Sequence, residues 1–422
     1  MKRLLIISPY FPPVNAADMQ RVRMSLPYFQ ELGWEAEVVT VDEGYTDLPQ
    51  DEFLLQSLPA GIKVHRVKAL DKRWTSKLGL GSLALRSLWF YRRKGNQLLK
   101  NGRFDLVFFS TTQFPVCVLG AYWKKRFGVP YVIDFQDPWR PDYYLDKPRE
   151  QRPPKFWFAY RLDSWLEPMA VKQAGGLISV SASYIDTLKK RYTDIKDIPA
   201  SVITFGHFEP DMAIAKANDH RFPKLLDPHF KNMVYIGRGG ADMQRAIEPL
   251  FAFLKKEAVR FKGLRLYFIG TSYAPAGEGK PSIRPLAEAY GIGDRVVEVT
   301  DRISYFHALA TLQQADALFI PGSDDPAYTA SKIYPYLMTQ RPLLAVFNPE
   351  SSVIQIMRAF GAVYVYDYNT VTHADLEGFL NGVIRNGIMA DTYEREAIAQ
   401  YSARSLTAEQ VELFNRALNF DR

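Results

Sequence analysis

Short runs of consecutive apolar residues alternate with longer amphipathic stretches along almost the whole chain. Runs at 3–8, 36–41, 63–67, 105–109, 131–134, 176–180 and 201–204 make a first set. Those at 233–237, 265–270, 295–299, 316–320, 342–347 and 362–366 make a second. Most are continuously apolar rather than alternating, which predicts parallel strands covered on both faces. Between them, stretches such as 18–32, 113–127 and 241–261 place apolar residues at helical spacing. Two successive sets of strand–helix units predict an α/β protein of two doubly wound, Rossmann-like domains, with the ligand expected in an interdomain cleft.

A chain of 422 residues is too long for one ordinary core, which agrees with two domains. The first is expected over 1–205 and the second over 232–395. Residues 206–231 are polar, hold Pro210, Pro223 and Pro228, lack a sustained period and read as a linker. A final helix, 396–422, is expected to pack back on the first domain.

The opening MKRLLIISPYFPP has a basic start, but its apolar run ends at Pro9. That is too short for a signal-peptide core or a membrane span and reads as a first buried strand, so a cytoplasmic protein is expected. A single cysteine, Cys117, excludes an internal disulfide and a cysteine-based metal site. The six histidines are scattered without ligand spacing, so no metal is expected. No cofactor is expected either.

The net charge of +7 is uneven: between Lys68 and Arg103 lie ten lysines and arginines, and Asp71 is the only acid. The same window holds Trp89, Phe90, Tyr91 and several leucines. Such a stretch suits the surface of an anionic membrane, at the inner face of the cell membrane; the alternative is a solvated helix packed on the core. No nucleic-acid-binding module accompanies the charge, and nucleic acid is not expected as a partner.

Four loops could carry chemistry. The first strand–helix turn, SPYFPPVNAADMQR, lacks dinucleotide-binding glycines but would put Asn15, Ala16 and Ala17 near a ligand in the cleft. At the end of a buried strand, VIDFQDPWRPDYY offers Asp134 and Asp137 as catalytic carboxylates, or as simple helix caps. Its Trp139, Tyr143 and Tyr144 offer flat faces to an acceptor. In the second half, MVYIGRGGADMQR places Gly237, Arg238, Gly239, Gly240 and Arg245 where backbone N–H groups and guanidinium charge could cradle a diphosphate. Further on, ADALFIPGSDDPAYTASKIYPYLM adds Ser331 and Lys332 for the diphosphate, and Asp324 and Asp325 for a donor sugar. Tyr273, Thr300 and Ile303, past two other strand ends, are candidates for a nucleobase pocket.

With these residues in view, the chain resembles glycosyltransferases of the GT-B fold, of the retaining family 4 (glycosyl transferases group 1) type. The likeness runs from YFPP and Arg21 through ELGWEAEVVTV and DFQDPW to Gly237–Arg238, LYFIG, ADALFIP, SKIYPYL and RPLLAV. It implies a nucleotide-sugar donor in the C-terminal half and a glycan or lipid-linked acceptor in the N-terminal half. By position, Arg238 and Lys332 would hold the donor diphosphate and Asp137 would lie near the acceptor or the transferred sugar. The implied activity is metal-independent hexosyl transfer to a cell-surface polysaccharide or glycolipid, with retention.

Three departures stand out. Asn15, Ala16 and Ala17 replace the family's glycine pair in the first loop, and Ala327 and Pro335 replace its paired glutamates. Pro335 also reshapes the local helix start, and is expected at its first position. The missing glutamates motivate a second reading, a GT-B-like protein that binds a sugar nucleotide or a partner without turnover. A third is a sugar-nucleotide epimerase, which would act without an acceptor.

Overall fold

The computed structural model describes residues 1–78, 81–145, 147–149, 152, 156–275, 277–325, 333–385 and 395–420. The chain divides into two compact units, Met1–Phe205 with Ala403–Arg422, and Gly206–Ser402.

The sheet of the first unit comprises β1 (Lys2–Ile7), β2 (Trp34–Val41), β3 (Lys63–Val67), β4 (Leu106–Ser110), β5 (Tyr131–Phe135), β6 (Gly176–Ser179) and β7 (Ala200–Val202). Their order is β3-β2-β1-β4-β5-β6-β7, every pair parallel. The chain leaves β1 in one direction and returns to β4 on its other side, so the strand order reverses between them. Leu5, Ile7, Val107 and Phe109 pack into one core on one face, while Leu4, Ile6, Leu106 and Phe108 pack into another on the opposite face. Burial on both faces is why these runs show no apolar–polar alternation.

The helix Ala403–Phe420 completes the second of those cores, although it follows the whole of the other unit in sequence. Leu406, Val411, Leu413, Phe414 and Ala417 form its buried face. The Phe414 ring lies 5.0 Å from Phe108, 5.7 Å from Trp34 and 6.1 Å from Phe29, and Gln410 Nε2 donates to Ser25 Oγ at 2.9 Å.

The second unit is built on β8 (Lys231–Ile236), β9 (Leu264–Ile269), β10 (Val296–Val299), β11 (Ala317–Pro321), β12 (Leu343–Phe347) and β13 (Val365–Asp367). Here the order is β10-β9-β8-β11-β12-β13, again parallel throughout. The reversal falls between β8 and β11, and the ends of strands beside such a reversal are where doubly wound sheets take ligands.

Residues 206–231, expected as a linker, instead begin this second unit. They carry the helix Glu209–Ala217, with Pro210 in its first turn, where a missing N–H costs no hydrogen bond. Tyr305 donates to Asp211 Oδ2 at 3.0 Å and Gln313 Nε2 to the Met212 carbonyl at 3.0 Å, fastening the segment to the helix Tyr305–Gln314. Pro335 lies inside the helix Ile333–Met338, with Ile333 and Tyr334 already helical before it, rather than at its first position.

Candidate functional site

The turn after β8 is held by its own backbone. Gly237 N–H donates to the Ile269 carbonyl at 2.9 Å, Gly239 N–H to the Thr271 carbonyl at 2.8 Å, and the Tyr235 hydroxyl to the Arg238 carbonyl at 2.9 Å. A Cβ on Gly239 would lie 2.3 Å from Ser282 Oγ and 3.0 Å from Thr271 Cβ, so the turn closes only around glycine. Gly240, at φ +152°, lets the chain swing into the helix Gln244–Lys256.

Arg238 does not stand alone at this turn. Its guanidinium grips Asp242 with two hydrogen bonds, of 3.0 and 2.6 Å, and holds that carboxyl down to about 2. Ser323 Oγ donates to the same carboxylate at 2.6 Å, and Asp324 N–H donates to the Asp242 carbonyl at 2.7 Å. Asp242 therefore ties the β8 turn to the loop after β11. It lay within the quoted GRGGADMQR segment, but nothing in that spacing showed that it pairs with Arg238.

Arg245 is directed elsewhere: its guanidinium lies over the Tyr368 ring at 4.3 Å, with Nε 4.0 Å from Asp324 Oδ1. The Asp324 carbonyl accepts from Asn348 Nδ2 at 2.6 Å, and Asp325 is exposed. Ser331 and Lys332 lie outside the described residues, so the expected convergence of Lys332 with Arg238 does too.

Tyr273 is 71% exposed, with the Arg302 guanidinium 5.1 Å from its ring centre. The Thr300 carbonyl accepts from Ser272 N–H at 3.0 Å, which joins the loops after β9 and β10, while Ile303 packs half-buried on the core. The glycine turn, the Asp324 loop and these two loops all follow the carboxyl ends of their strands, on one edge of the sheet.

In the first unit, Asp134 is fully buried and is not placed to meet a substrate. Its Oδ2 accepts from Arg21 Nε at 2.7 Å, Ser110 Oγ at 2.8 Å and Gln136 Nε2 at 2.9 Å. Arg21 Nη2 also donates to the Ile203 carbonyl at 2.6 Å. The last residue of β5 but one faces inward, and the carboxylate is balanced by an arginine from the first helix, so Asp134 is a buried structural group and not the catalytic carboxylate its place at a strand end suggests.

Asp137, three residues on, is exposed at the rim, and partial desolvation there pushes its carboxyl above the ordinary value. Trp139 is 5% exposed and stacks on Phe114 at 5.3 Å, with Nε1 donating to Asp163 Oδ1 at 2.9 Å. Its ring is core structure rather than an open platform. Tyr144 is half-buried against Phe156, and the Tyr143 side chain lies outside the described features. Asn15 N–H donates to the Pro49 carbonyl at 2.9 Å; Ala16 is buried and Ala17 exposed. The carboxylate that anchors this first loop is one the sequence reading missed: buried Asp18 accepts from Thr111 Oγ1 and Thr112 N–H, each at 3.0 Å.

Two cavities flank the segment Pro138–Pro141, and Pro138, Trp139 and Pro141 line both. The larger, about 610 Å³, is mostly apolar, with Phe158 and Leu162 on its wall and Asp137 and Asp163 among its polar groups. Burial pushes both of those carboxyls up. The smaller, about 230 Å³, is lined by Arg140, Glu167, Tyr184 and Arg191 among others. Among the described residues, no cluster of three or more His, Cys, Asp and Glu is arranged to hold a metal ion.

Residues 20–206 match the sequence model of the glycosyl transferase 4-like domain. The match lies almost wholly within the first unit. No curated protein sequence matches the chain. Among solved structures, the chain is similar to a UDP-forming α,α-trehalose-phosphate synthase from Burkholderia xenovorans, with a TM-score of 0.55 and 12% identity over 99% of each chain. It is similar to HepE from Anabaena in complex with UDP-glucose, at 0.50 and 12% over 100% of this chain and 98% of that one. UDP-GlcNAc 2-epimerase from Methanocaldococcus jannaschii matches at 0.51 and 10%, over 96% and 98%. Identities this low establish the fold alone, and that fold is GT-B, two Rossmann-like domains.

The basic stretch of the first unit is largely a packed helix, Leu83–Asn101, with Leu83, Arg86, Tyr91 and Leu99 buried. Arg86 is internal, donating to the Leu70 carbonyl at 2.8 Å and the Tyr45 carbonyl at 2.9 Å. The outward face of the helix still presents Trp89, Arg92, Arg93 and Lys100, and Trp74 nearby in sequence is 72% exposed. No described helix is long and apolar enough to cross a membrane.

Proposed function

We propose that the protein is a glycosyltransferase that moves a sugar from a nucleotide-diphosphate donor to a cell-surface polysaccharide or glycolipid acceptor, with retention. The second unit binds the donor and the glycosyl transferase 4-like domain binds the acceptor. The observation that carries the reading is the β8 turn: Gly239, which admits no side chain, lies beside Arg238, and both follow a strand end at the reversal of sheet order. With the Gly237 and Gly239 N–H groups held by the Ile269 and Thr271 carbonyls, it is the Arg238 guanidinium, exchanging Asp242 for the ligand, that would meet the charge of a leaving diphosphate without a metal.

A UDP-sugar is the donor class to try first, because HepE is described in complex with UDP-glucose and the trehalose-phosphate synthase is described as UDP-forming. The epimerase shares the fold, so the fold does not separate transfer from epimerisation. The large cavity of the acceptor domain favours transfer, since an epimerase has no second substrate to place there.

A thermal-shift panel of nucleotides and nucleotide sugars tests the proposal. A donor present at about a hundred times its dissociation constant adds roughly 2.7 kcal/mol of stability. Incubation with donor alone, followed by product analysis, exposes an epimer if the second activity is the true one. No shift with any nucleotide would overturn the donor assignment altogether.

A further inference from the structure

We propose that the helix Phe156–Val171 of the first unit lies against an anionic phospholipid bilayer, with Trp157, Phe158, Trp165 and Met169 entering the headgroup region. This goes beyond the glycosyltransferase reading and stands without it. The sequence pointed to a membrane only through residues 68–103, and this helix lies outside them.

Three helices, Leu83–Asn101, Val118–Phe127 and Phe156–Val171, cover one face of the first sheet. All three bury residues in the core of Leu5, Ile7, Val107 and Phe109. The middle helix is bonded on both sides: Trp123 Nε1 donates to Asn96 Oδ1 at 3.0 Å, and Lys124 Nζ donates to the Gln173 carbonyl, just past the third helix, at 3.0 Å. The third helix is apolar outward as well as inward. Trp157, Phe158, Trp165 and Met169 are each 46–63% exposed. With Arg161 they recur at helical spacing on its solvent side. Single exposed apolar residues are ordinary, but a row of four on one helix marks a surface that something covers.

Charge decides what covers it. Asp163 and Glu167 are the only acids in the three helices. Glu167 is fully buried, and Asp163 lines the larger cavity and accepts from Trp139. Arg92, Arg93, Lys100, Lys125, Arg126 and Arg161 are exposed, so the layer is cationic with no acid on its outer side. The Arg93 guanidinium lies 5.8 Å from the Trp89 ring centre, and that of Arg152 lies 5.2 Å from Trp157. Rings beside cations suit the boundary between headgroups and acyl chains: the ring enters and the charge stays among the phosphates.

A second copy of the chain fits poorly, because a twofold contact would set this face against itself, cation to cation. A soluble polyanion would satisfy the arginines and leave the apolar row in water. An anionic bilayer meets both. Apolar burial and electrostatic attraction add in such attachment, so this row and the exposed strip of Leu83–Asn101 act together. Phe158 also lines the larger cavity, which makes the row continuous with that cavity's rim. The rim is thereby set at the membrane surface, where a glycolipid presents its sugar.

Sedimentation of the full-length protein with vesicles, in the absence of any nucleotide, tests the inference. Vesicles of phosphatidylcholine and phosphatidylserine in equal parts should carry the protein down at low salt, and phosphatidylcholine alone should not. Trp165 and Met169 lie outside the cavity lining. Trp165→Ser combined with Met169→Ser should weaken vesicle binding about tenfold or more and leave the melting temperature unchanged. Cys117 is the only cysteine and is buried, so a polarity-sensitive dye on Trp165→Cys reports this face. It should brighten with the anionic vesicles. The same dye on Glu412→Cys, in the helix on the opposite face of the sheet, should not. Undiminished binding by the double variant, a dye on Trp165→Cys that stays dim, or no binding to anionic vesicles would overturn the inference. So would a wild-type dimer that the double variant breaks, which would give the row to a second copy. The UDP-dependent thermal shift is measured separately, so failure of either reading leaves the other intact.

Discussion

Arg21 and Asp134 form a salt bridge with an Nε–Oδ2 distance of 2.7 Å and side chains 3% and 0% exposed. The pair joins the first helix of the first unit to the end of β5. Asp134 Oδ1 makes no hydrogen bond, so this carboxylate relies on Arg21, Ser110 and Gln136 alone. Removing one partner leaves a buried, uncompensated charge. Asp134→Ala should cost about 3–5 kcal/mol in urea unfolding. A loss below about 1 kcal/mol would show that the pair is not the hub it resembles.

Arg238 and Asp242 make a different kind of pair, partly exposed and set beside the proposed diphosphate site. Arg238→Ala removes a charge-assisted contact worth about 1.5–3 kcal/mol, so nucleotide-sugar affinity should fall roughly ten- to hundredfold by calorimetry. Affinity equal to wild type would move the donor site elsewhere. Gly239→Ala should have a similar effect by a steric route, since its methyl group would displace Ser282 or the turn itself.

Two histidines should give the second unit an acid-sensitive stability. His207 and His307 are buried, and burial holds both below the ordinary 6.5. His307 Nε2 lies 2.9 Å from the Pro223 carbonyl and its ring stacks on Phe222; His207 Nε2 lies 3.2 Å from the Ile398 carbonyl. The unfolded chain then binds protons more readily than the folded one. Stability should be full above pH 6.5 and fall as the pH drops toward the depressed folded values. Unfolding midpoints at pH 7.5 and 5.5 measure the slope; His207→Gln with His307→Gln should flatten it.

The final helix should be indispensable to a unit that it does not adjoin in sequence. Phe414→Ala should cost about 3–5 kcal/mol, as a large aromatic leaves a core cavity. Ending the chain at Ser402 should expose Trp34, Phe29 and Phe108 and leave the first unit insoluble, while donor binding by the second unit measures whether that unit survives.

The outward strip of the helix Leu83–Asn101 predicts attachment to anionic vesicles at low salt. Trp89→Ala combined with Arg92→Gln and Arg93→Gln should abolish sedimentation with phosphatidylserine vesicles and leave the thermal stability unchanged. Sedimentation equal to wild type would remove the membrane from the account of this surface.

Some of the site was legible before any coordinates. Gly237, Arg238, Gly239 and Gly240 could be read as a ligand turn because glycines after an apolar run have few other uses. The partnership of Arg238 with Asp242 was not legible, since an acid four residues on could equally face solvent. Asp134 was misread for a related reason: a carboxylate at a strand end looks the same in sequence whether it faces a substrate or an arginine from a distant helix. The cavity of Arg140, Glu167 and Arg191 was missed because its residues come from three separate stretches with no common spacing.

By itself the sequence determined the thirteen strands among the described residues, their parallel arrangement and their division into two doubly wound sheets. A continuously apolar strand has only one way to be stable, buried on both faces between helices. Tertiary structure alone decided that 206–231 starts a unit rather than joining two, and that the chain's end returns to the core its beginning opened. It also decided which charges are spent on one another. Those outcomes depend on contacts between residues far apart in the chain, and the spacing of residues along it carries no record of such contacts.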